Sequence, residues 1–196
     1  MSEPTPPASA APAVPPGRPG PSPTLLRLTI AAVVLIALAA LFWPRGQGSF
    51  VAPGGFLVDG NGRPAPMAQH MTPATLVHFW ATWCPPCVQE APWLDRLERD
   101  LATPGQFEVL RIAVADEPQK VKVFLGDRAA TVLYDPQWDV AHRYGTSQLP
   151  ETYLVVNGKV VRKWIGATDW GDPKVRAELA AKLAEGGITL AAHPAG

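Results

Sequence analysis

Cysteine is scarce in this chain: two, at positions 84 and 87, among 196 residues. Two cysteines three positions apart cannot build the multi-bridge framework of a small secreted scaffold, so the pair is catalytic, metal-binding or incidental. Net charge is also lacking, with 17 Lys and Arg against 17 Asp and Glu. That balance offers no basic face for nucleic acid and no acidic tail. Histidine is sparse, at 70, 78, 142 and 193, and no two of these share the short spacing of a zinc site. Large apolar side chains are nearly absent from residues 1–24, where nine prolines stand among Ala, Gly, Ser and Thr. Such a stretch cannot bury enough surface to fold and reads as an extended, disordered spacer.

The one long apolar run is Leu25 to Trp43, interrupted only by Arg27 and Thr29. Nineteen helical residues reach about 28 Å, close to the hydrocarbon thickness of a bilayer. Arg27 can snorkel, Trp43 suits the far interface, and Pro44 and Gly46 end the helix. A transmembrane anchor is therefore expected, with the domain after it outside the cytoplasm. The rival is a cleaved signal peptide, because Ala37-Leu38-Ala39 resembles a small-residue cleavage site. Residues 44–55 read as a linker.

Residues 56–187 carry alternating strand and helix patterns, and residues 188–196 read as a flexible tail. Phe56 to Asp59 and Arg63 to Met67 flank Gly60-Asn61-Gly62 as a small hairpin. Leu76 to Trp80 reads as a buried central strand. After it, Val88, Ala91, Leu94, Leu97 and Leu101 recur at spacings of three and four among charges, marking an amphipathic helix that Pro92 should kink. Phe107 to Ala115 is a second core strand, Pro118 to Gly126 a helix, Thr131 to Tyr134 a short strand and Asp139 to Tyr144 a helical turn. Pro150 precedes the strand to Val156, Asn157-Gly158 is a hairpin turn, and Lys159 to Ile165 returns. Pro173 to Glu185 forms the last helix, with Asp172 before it and Gly186 after it. A βαβ unit, then a hairpin, then a helix predicts an α/β sandwich.

The cysteines fall where the first core strand meets its helix. A helix N-terminus has unpaired N–H groups and a partial positive charge, which favour an anion such as a thiolate. The thiolate is the form that attacks disulfides. Cys84 is expected as the exposed nucleophile and Cys87, one turn in, as the more buried resolving thiol. Pro85 and Pro86 lack N–H groups, leaving only the Cys87 N–H near the Cys84 sulfur. Fewer donors stabilise the thiolate less, which favours the disulfide and points to a reductant. Trp83 is placed to shield the site and contact partners, and Trp80 to pack in the core.

Trp80-Ala81-Thr82-Trp83-Cys84-Pro85-Pro86-Cys87 resembles the active-site signature of the thioredoxin superfamily, nearest its membrane-anchored TlpA/ResA/CcmG-like thiol-disulfide oxidoreductases. The resemblance covers roughly residues 50–187. It implies a thioredoxin-like fold, a central mixed sheet flanked by helices with an N-terminal β-hairpin extension. It implies a redox disulfide Cys84–Cys87 and a cis Leu149–Pro150 bond facing it, which would leave the Leu149 backbone free to pair with substrate. Glu90 matches a family glutamate near the cysteines, and a partly buried carboxyl there could handle thiol protons. Glu151 matches an acidic rim tied to partner choice, or is a strand-face charge. His78 stands where thioredoxin has an aspartate; it either assists proton transfer to Cys87 or is a hydrogen-bonded core residue. Gly166-Ala167-Thr168-Asp169-Trp170 resembles a family segment and reads as structural. Expected partners are disulfides of apocytochrome c or copper-assembly proteins, with a membrane electron relay of the DsbD/CcdA kind. The expected location is the bacterial inner membrane, with the domain in the periplasm. No cofactor or metal is expected. The rival function is a copper or zinc chaperone using the same cysteines.

Overall fold

The computed structural model describes residues 27, 28, 30–35 and 49–190. Within the expected span 25–43, the described residues 27, 28 and 30–35 are helical and exposed; the rest of it, and the proline-rich stretch 1–24, lie outside the described residues. Among the described residues no helix is long and apolar enough to cross a membrane. The described residues 49–190 belong to one compact unit.

Within this unit, β4 (Ala74–Trp80) is buried at every position. Both faces of such a strand must be covered, which explains why it reads as a continuous apolar run rather than an alternation. It pairs in parallel with β5 (Phe107–Val114) and antiparallel with β7 (Glu151–Val156). The remaining strands are β1 (Phe50–Val51), β2 (Phe56–Val58), β3 (Pro64–Pro66), β6 (Leu133–Asp135) and β8 (Lys159–Ile165). They complete one eight-stranded mixed sheet, ordered β1-β8-β7-β4-β5-β6-β2-β3.

Four helices flank this sheet: α1 (Pro85–Leu101), α2 (Pro118–Leu125), α3 (Asp139–Arg143) and α4 (Pro173–Glu185). Leu94 and Leu97 of α1 and Leu179 and Leu183 of α4 pack on Ala74, Leu76, Phe107 and Leu154 from one face. Val140 and Ala141 of α3, with Met67 and Tyr144, pack on Val77, Phe79, Leu110, Ile112 and Tyr153 from the other. Successive β4 residues therefore serve opposite layers, as a pleated strand requires. This is a thioredoxin-like α/β fold, as the sequence predicts.

Several details differ. The linker expected over 44–55 contains β1, which pairs with β8 at the sheet edge, and Ala52 N–H donates to the Gly158 carbonyl (2.9 Å). Two residues are too few to produce a readable alternation. The expected hairpin is present as β2 and β3, and the pairing of Val58 with Tyr134 joins it to the central sheet. The stretch 126–131 is a 3-10 segment, so β6 starts at Leu133 rather than Thr131. Ile188 and Leu190, expected in a flexible tail, pack against the α1/α4 core; residues 191–196 lie outside the described residues.

Candidate active site

The site is built where β4 ends. Cys84 is the N-cap of α1, with extended backbone (φ −99°, ψ 104°), and its Sγ accepts from the Cys87 N–H at 3.3 Å. That N–H also reaches the Cys84 carbonyl at 3.0 Å. With Pro85 and Pro86 in the first turn, it is the donor left for the sulfur, as the sequence predicts. Cys84 and Cys87 are joined in a disulfide with Cα atoms 5.3 Å apart. The expected order of accessibility is kept, but both are largely covered: Cys84 is 5% exposed and Cys87 1%. Pro85 and Pro86 are exposed around them, and Trp83 is 54% exposed. The cysteines share a cluster with Trp80, Ala81, Ala113 and Tyr134, against which Leu149 packs.

The loop before Cys84 is anchored by a residue that sequence reasoning missed. Asp116, just past β5, accepts from the Thr82 N–H (2.5 Å) and hydroxyl (2.9 Å). Beside it, the Ala115 carbonyl accepts from the Trp83 indole N–H at 3.0 Å, and Ala115 has φ +47°. A positive φ outside glycine is uncommon and marks a conformation imposed by its surroundings. No local spacing announces these bonds, because 34 residues separate Thr82 from Asp116.

Glu90 lies three residues after Cys87 on the same buried face of α1 and is fully buried. Burial pushes its carboxyl up to about 7, against the opposing pull of the Trp170 indole and the Thr168 backbone. The Trp170 N–H donates to Oε1 at 2.5 Å, while Oε2 is buried without a hydrogen bond of ordinary geometry among the described residues. The segment 166–170, expected to be only structural, thus supplies the contacts to this carboxylate.

His78 is 3% exposed and faces Arg111 on β5 and Thr152 on β7 in register. Its Nδ1 meets the Thr152 hydroxyl at 2.8 Å. Burial, reinforced by the Arg111 charge, lowers its pKa to about 3, so the ring is neutral across ordinary pH. That makes it a weak proton acceptor and favours the core reading over proton transfer. Arg111 is itself held by Asp95 (3.0 Å) and Glu98 (2.5 Å) of α1. His78, Cys87 and Arg111 line one cavity of about 10 Å³, too small for any ligand. Three larger surface hollows, of about 430–560 Å³, include neither cysteine.

The Leu149–Pro150 bond is cis, as the resemblance implied. Pro150 is buried and Leu149 half-buried. Glu151 does not form an exposed acidic rim. Its side chain is buried on the face opposite α1, where Oε2 meets the Lys163 ammonium (2.8 Å) and the Tyr153 hydroxyl (2.7 Å). Pleating sends Thr152 to the His78 side and Glu151 to the other, so the residue after Pro150 turns inward. Of the four histidines, His70 lines a surface hollow and His142 stacks on Trp138, while His193 lies outside the described residues. Among the described residues no group of three or more His, Cys, Asp or Glu side chains could hold a metal ion.

A protein-family model described as Redoxin matches residues 47–179. The thiol-disulfide oxidoreductase ResA of Geobacillus thermodenitrificans is 31% identical over 130 residues, which cover 65% of this chain and 74% of that protein. The thiol:disulfide interchange protein CycY of Rhizobium leguminosarum bv. viciae is 32% identical over 96 residues, or 47% of this chain and 50% of that one. Among solved structures, a thiol:disulfide interchange protein of the thioredoxin family from Chlorobium tepidum superposes with a TM-score of 0.54 at 25% identity. That match covers 68% of this chain and 97% of the other.

Proposed function

The chain belongs to the Redoxin family and is a thiol-disulfide oxidoreductase of the ResA and CycY type, and from that premise we propose a membrane-tethered reductase of protein disulfides in which Cys84 attacks and Cys87 resolves. The observation that carries the reading is the Cys84–Cys87 pair at the N-terminus of α1, with Cys84 the more exposed of the two residues. In the reduced chain the Cys84 thiolate attacks one sulfur of a partner disulfide. The partner's S–S bond breaks, a Cys84–partner bond forms, and the first partner sulfur leaves as a thiolate that takes up a proton. The Cys87 thiol gives its proton to the Glu90 carboxylate and attacks Cys84. The Cys84–Cys87 bond forms, the second partner sulfur leaves, and two electrons have passed to the partner. The cis Leu149–Pro150 edge presents the Leu149 backbone for strand-like pairing with the substrate segment. Trp83 and the exposed prolines line the approach.

The direction follows from the N-terminus of α1. A thiolate at a helix start is stabilised by the N–H groups around it, and here two of those positions are proline. The disulfide is correspondingly favoured, which suits a reductant recharged by an external dithiol. A membrane relay of the DsbD/CcdA kind fits that role. Residues 25–43 are the anchor and place residues 46–196 on the periplasmic side of the inner membrane. Substrates are disulfides of apocytochrome c or of copper-site assembly proteins. The Pro150-Glu151-Thr152-Tyr153-Leu154 segment, which resembles a CcmG-like pattern, supports the first, and the Asp169-Trp170 segment, which resembles TlpA, supports the second.

Equilibration of the full chain with a dithiol buffer tests the direction. The expected potential lies nearer the roughly −270 mV of thioredoxin than the roughly −120 mV of a disulfide-forming oxidant. A value at the oxidant end overturns the reductase reading.

A further inference from the structure

We infer that Trp170 is a positioning residue of the exchange reaction: its buried indole holds the Glu90 carboxyl group in one place, a helical turn from Cys87. The inference rests on the reading of Glu90 as acceptor of the Cys87 proton.

Four observations converge on it. Trp170 is fully buried, and the single polar atom of its ring is committed to Glu90 Oε1 at 2.5 Å, across 80 residues of sequence. The indole cannot swing away. Its ring meets Trp164 edge-to-face with centroids 5.1 Å apart, and its backbone carbonyl accepts from Arg176 Nε at 2.5 Å. Arg176 is fixed in turn by Asp100, near the end of α1, at 2.6 Å. The carboxyl group it holds is incompletely satisfied: Oε2 is buried without a hydrogen bond of ordinary geometry among the described residues, the Thr168 backbone being the other group that acts on the carboxyl. A side chain needed only for packing has no reason to keep such a costly buried group. Finally, the segment that carries Trp170 starts at Gly166, whose N–H donates to the Pro150 carbonyl at 2.9 Å. Gly166 has φ +80°, open to glycine and strained for other residues. One short stretch thus touches both the cis-proline and the proton acceptor.

The forces on the carboxyl group are few. Burial disfavours its charge, and the indole N–H and the Thr168 backbone favour it. No charged side chain enters the balance. From α4 the guanidinium of Arg176 is turned to the Trp170 carbonyl and Asp100, and the Asp169 carboxylate is bound to the Gly171 N–H. Removing the indole N–H therefore leaves burial less opposed and raises the proton affinity of Glu90. Glu90 then accepts the Cys87 proton only at higher pH.

The test uses the full chain in detergent, reduced and then mixed with 5,5′-dithiobis(2-nitrobenzoate). The first nitrothiobenzoate is released when Cys84 is captured, and the second when Cys87 attacks Cys84. In the wild type the rate of the second release should inflect near pH 7. In Trp170→Phe the inflection should move up by about one unit, with the high-pH rate kept within about twofold. A uniform loss of rate with the inflection unmoved means a merely structural role and overturns the inference. Should Trp170→Phe not fold, tryptophan-¹⁵N labelling of the wild type decides. One of the seven indole signals must follow pH with a midpoint near 7 and cease to do so in Glu90→Gln. No such signal overturns the inference. A wild type that never releases the second equivalent refutes the exchange reading instead, while the indole titration still judges Trp170.

Discussion

Thr82 and Asp116 are joined twice: the backbone N–H and the hydroxyl of Thr82 both donate to the Asp116 carboxylate, at 2.5 and 2.9 Å. The loop that delivers Cys84 to its helix is therefore tied to the end of β5 rather than held by α1 alone. Asp116 also accepts from the Glu117 N–H at 2.8 Å, which fixes the turn itself.

Asp116→Ala should lower stability by about 2 kcal/mol, the scale of losing hydrogen bonds to a charged group in a partly buried setting. The urea midpoint measures it. The same variant should slow capture of a model disulfide by Cys84, because the preceding loop loses its fixed geometry. An unchanged midpoint shows that the two bonds do not hold the loop.

Glu90 makes stability fall as pH rises. Its carboxyl goes from 4.5 to about 7 on folding. A raised value means that the folded chain binds the proton more tightly, so this contribution is fully present below pH 4.5 and is lost as pH passes through 7. Glu90→Gln should match the wild type near pH 4 and exceed it by about 3 kcal/mol near pH 8. Chemical denaturation of both proteins at the two pH values checks the difference.

His78 acts in the opposite sense. Its folded value of about 3 lies below the ordinary 6.5, so its contribution is present above pH 6.5 and fades as pH falls towards 3. His78→Asn, which can still meet the Thr152 hydroxyl, should narrow the stability gap to the wild type as the solution is acidified. It should also keep most exchange activity at pH 7. A large activity loss in a well-folded His78→Asn protein restores the proton-transfer role.

Lys163 and Glu151 form an ion pair at 2.8 Å in which the carboxylate is buried. Lys163→Met strands that charge and should cost about 3 kcal/mol, whereas the double variant Glu151→Leu/Lys163→Met should recover most of it. A double-mutant cycle in urea measures the coupling. Additive losses show that the pair is not the stabilising unit.

What was legible in the sequence was local. The spacing of Leu94, Leu97 and Leu101, the unbroken apolar run of β4 and the Asn157-Gly158 turn announce their elements directly, since periods of 3.6 and 2 are written along the chain. The redox pair was legible because strand, motif and helix start are contiguous, and the cis bond through the family resemblance. What stayed hidden spans long separations. Asp116 reaches back 34 residues and Trp170 reaches back 80, and neither has a motif that names its partner. Glu151 misled for a different reason. The resemblance implied an acidic rim or a strand-face charge, and only the pleat of β7, with Lys163 on the adjacent strand, shows that it turns inward.

The most direct measurement is covalent trapping of partner proteins by two single-cysteine variants of the full chain. Cys87→Ser should accumulate a mixed disulfide through Cys84, recoverable under non-reducing conditions and released by dithiothreitol, while Cys84→Ser accumulates none. Trapping by Cys84→Ser and not by Cys87→Ser contradicts the assigned roles, and trapping by neither contradicts the exchange mechanism.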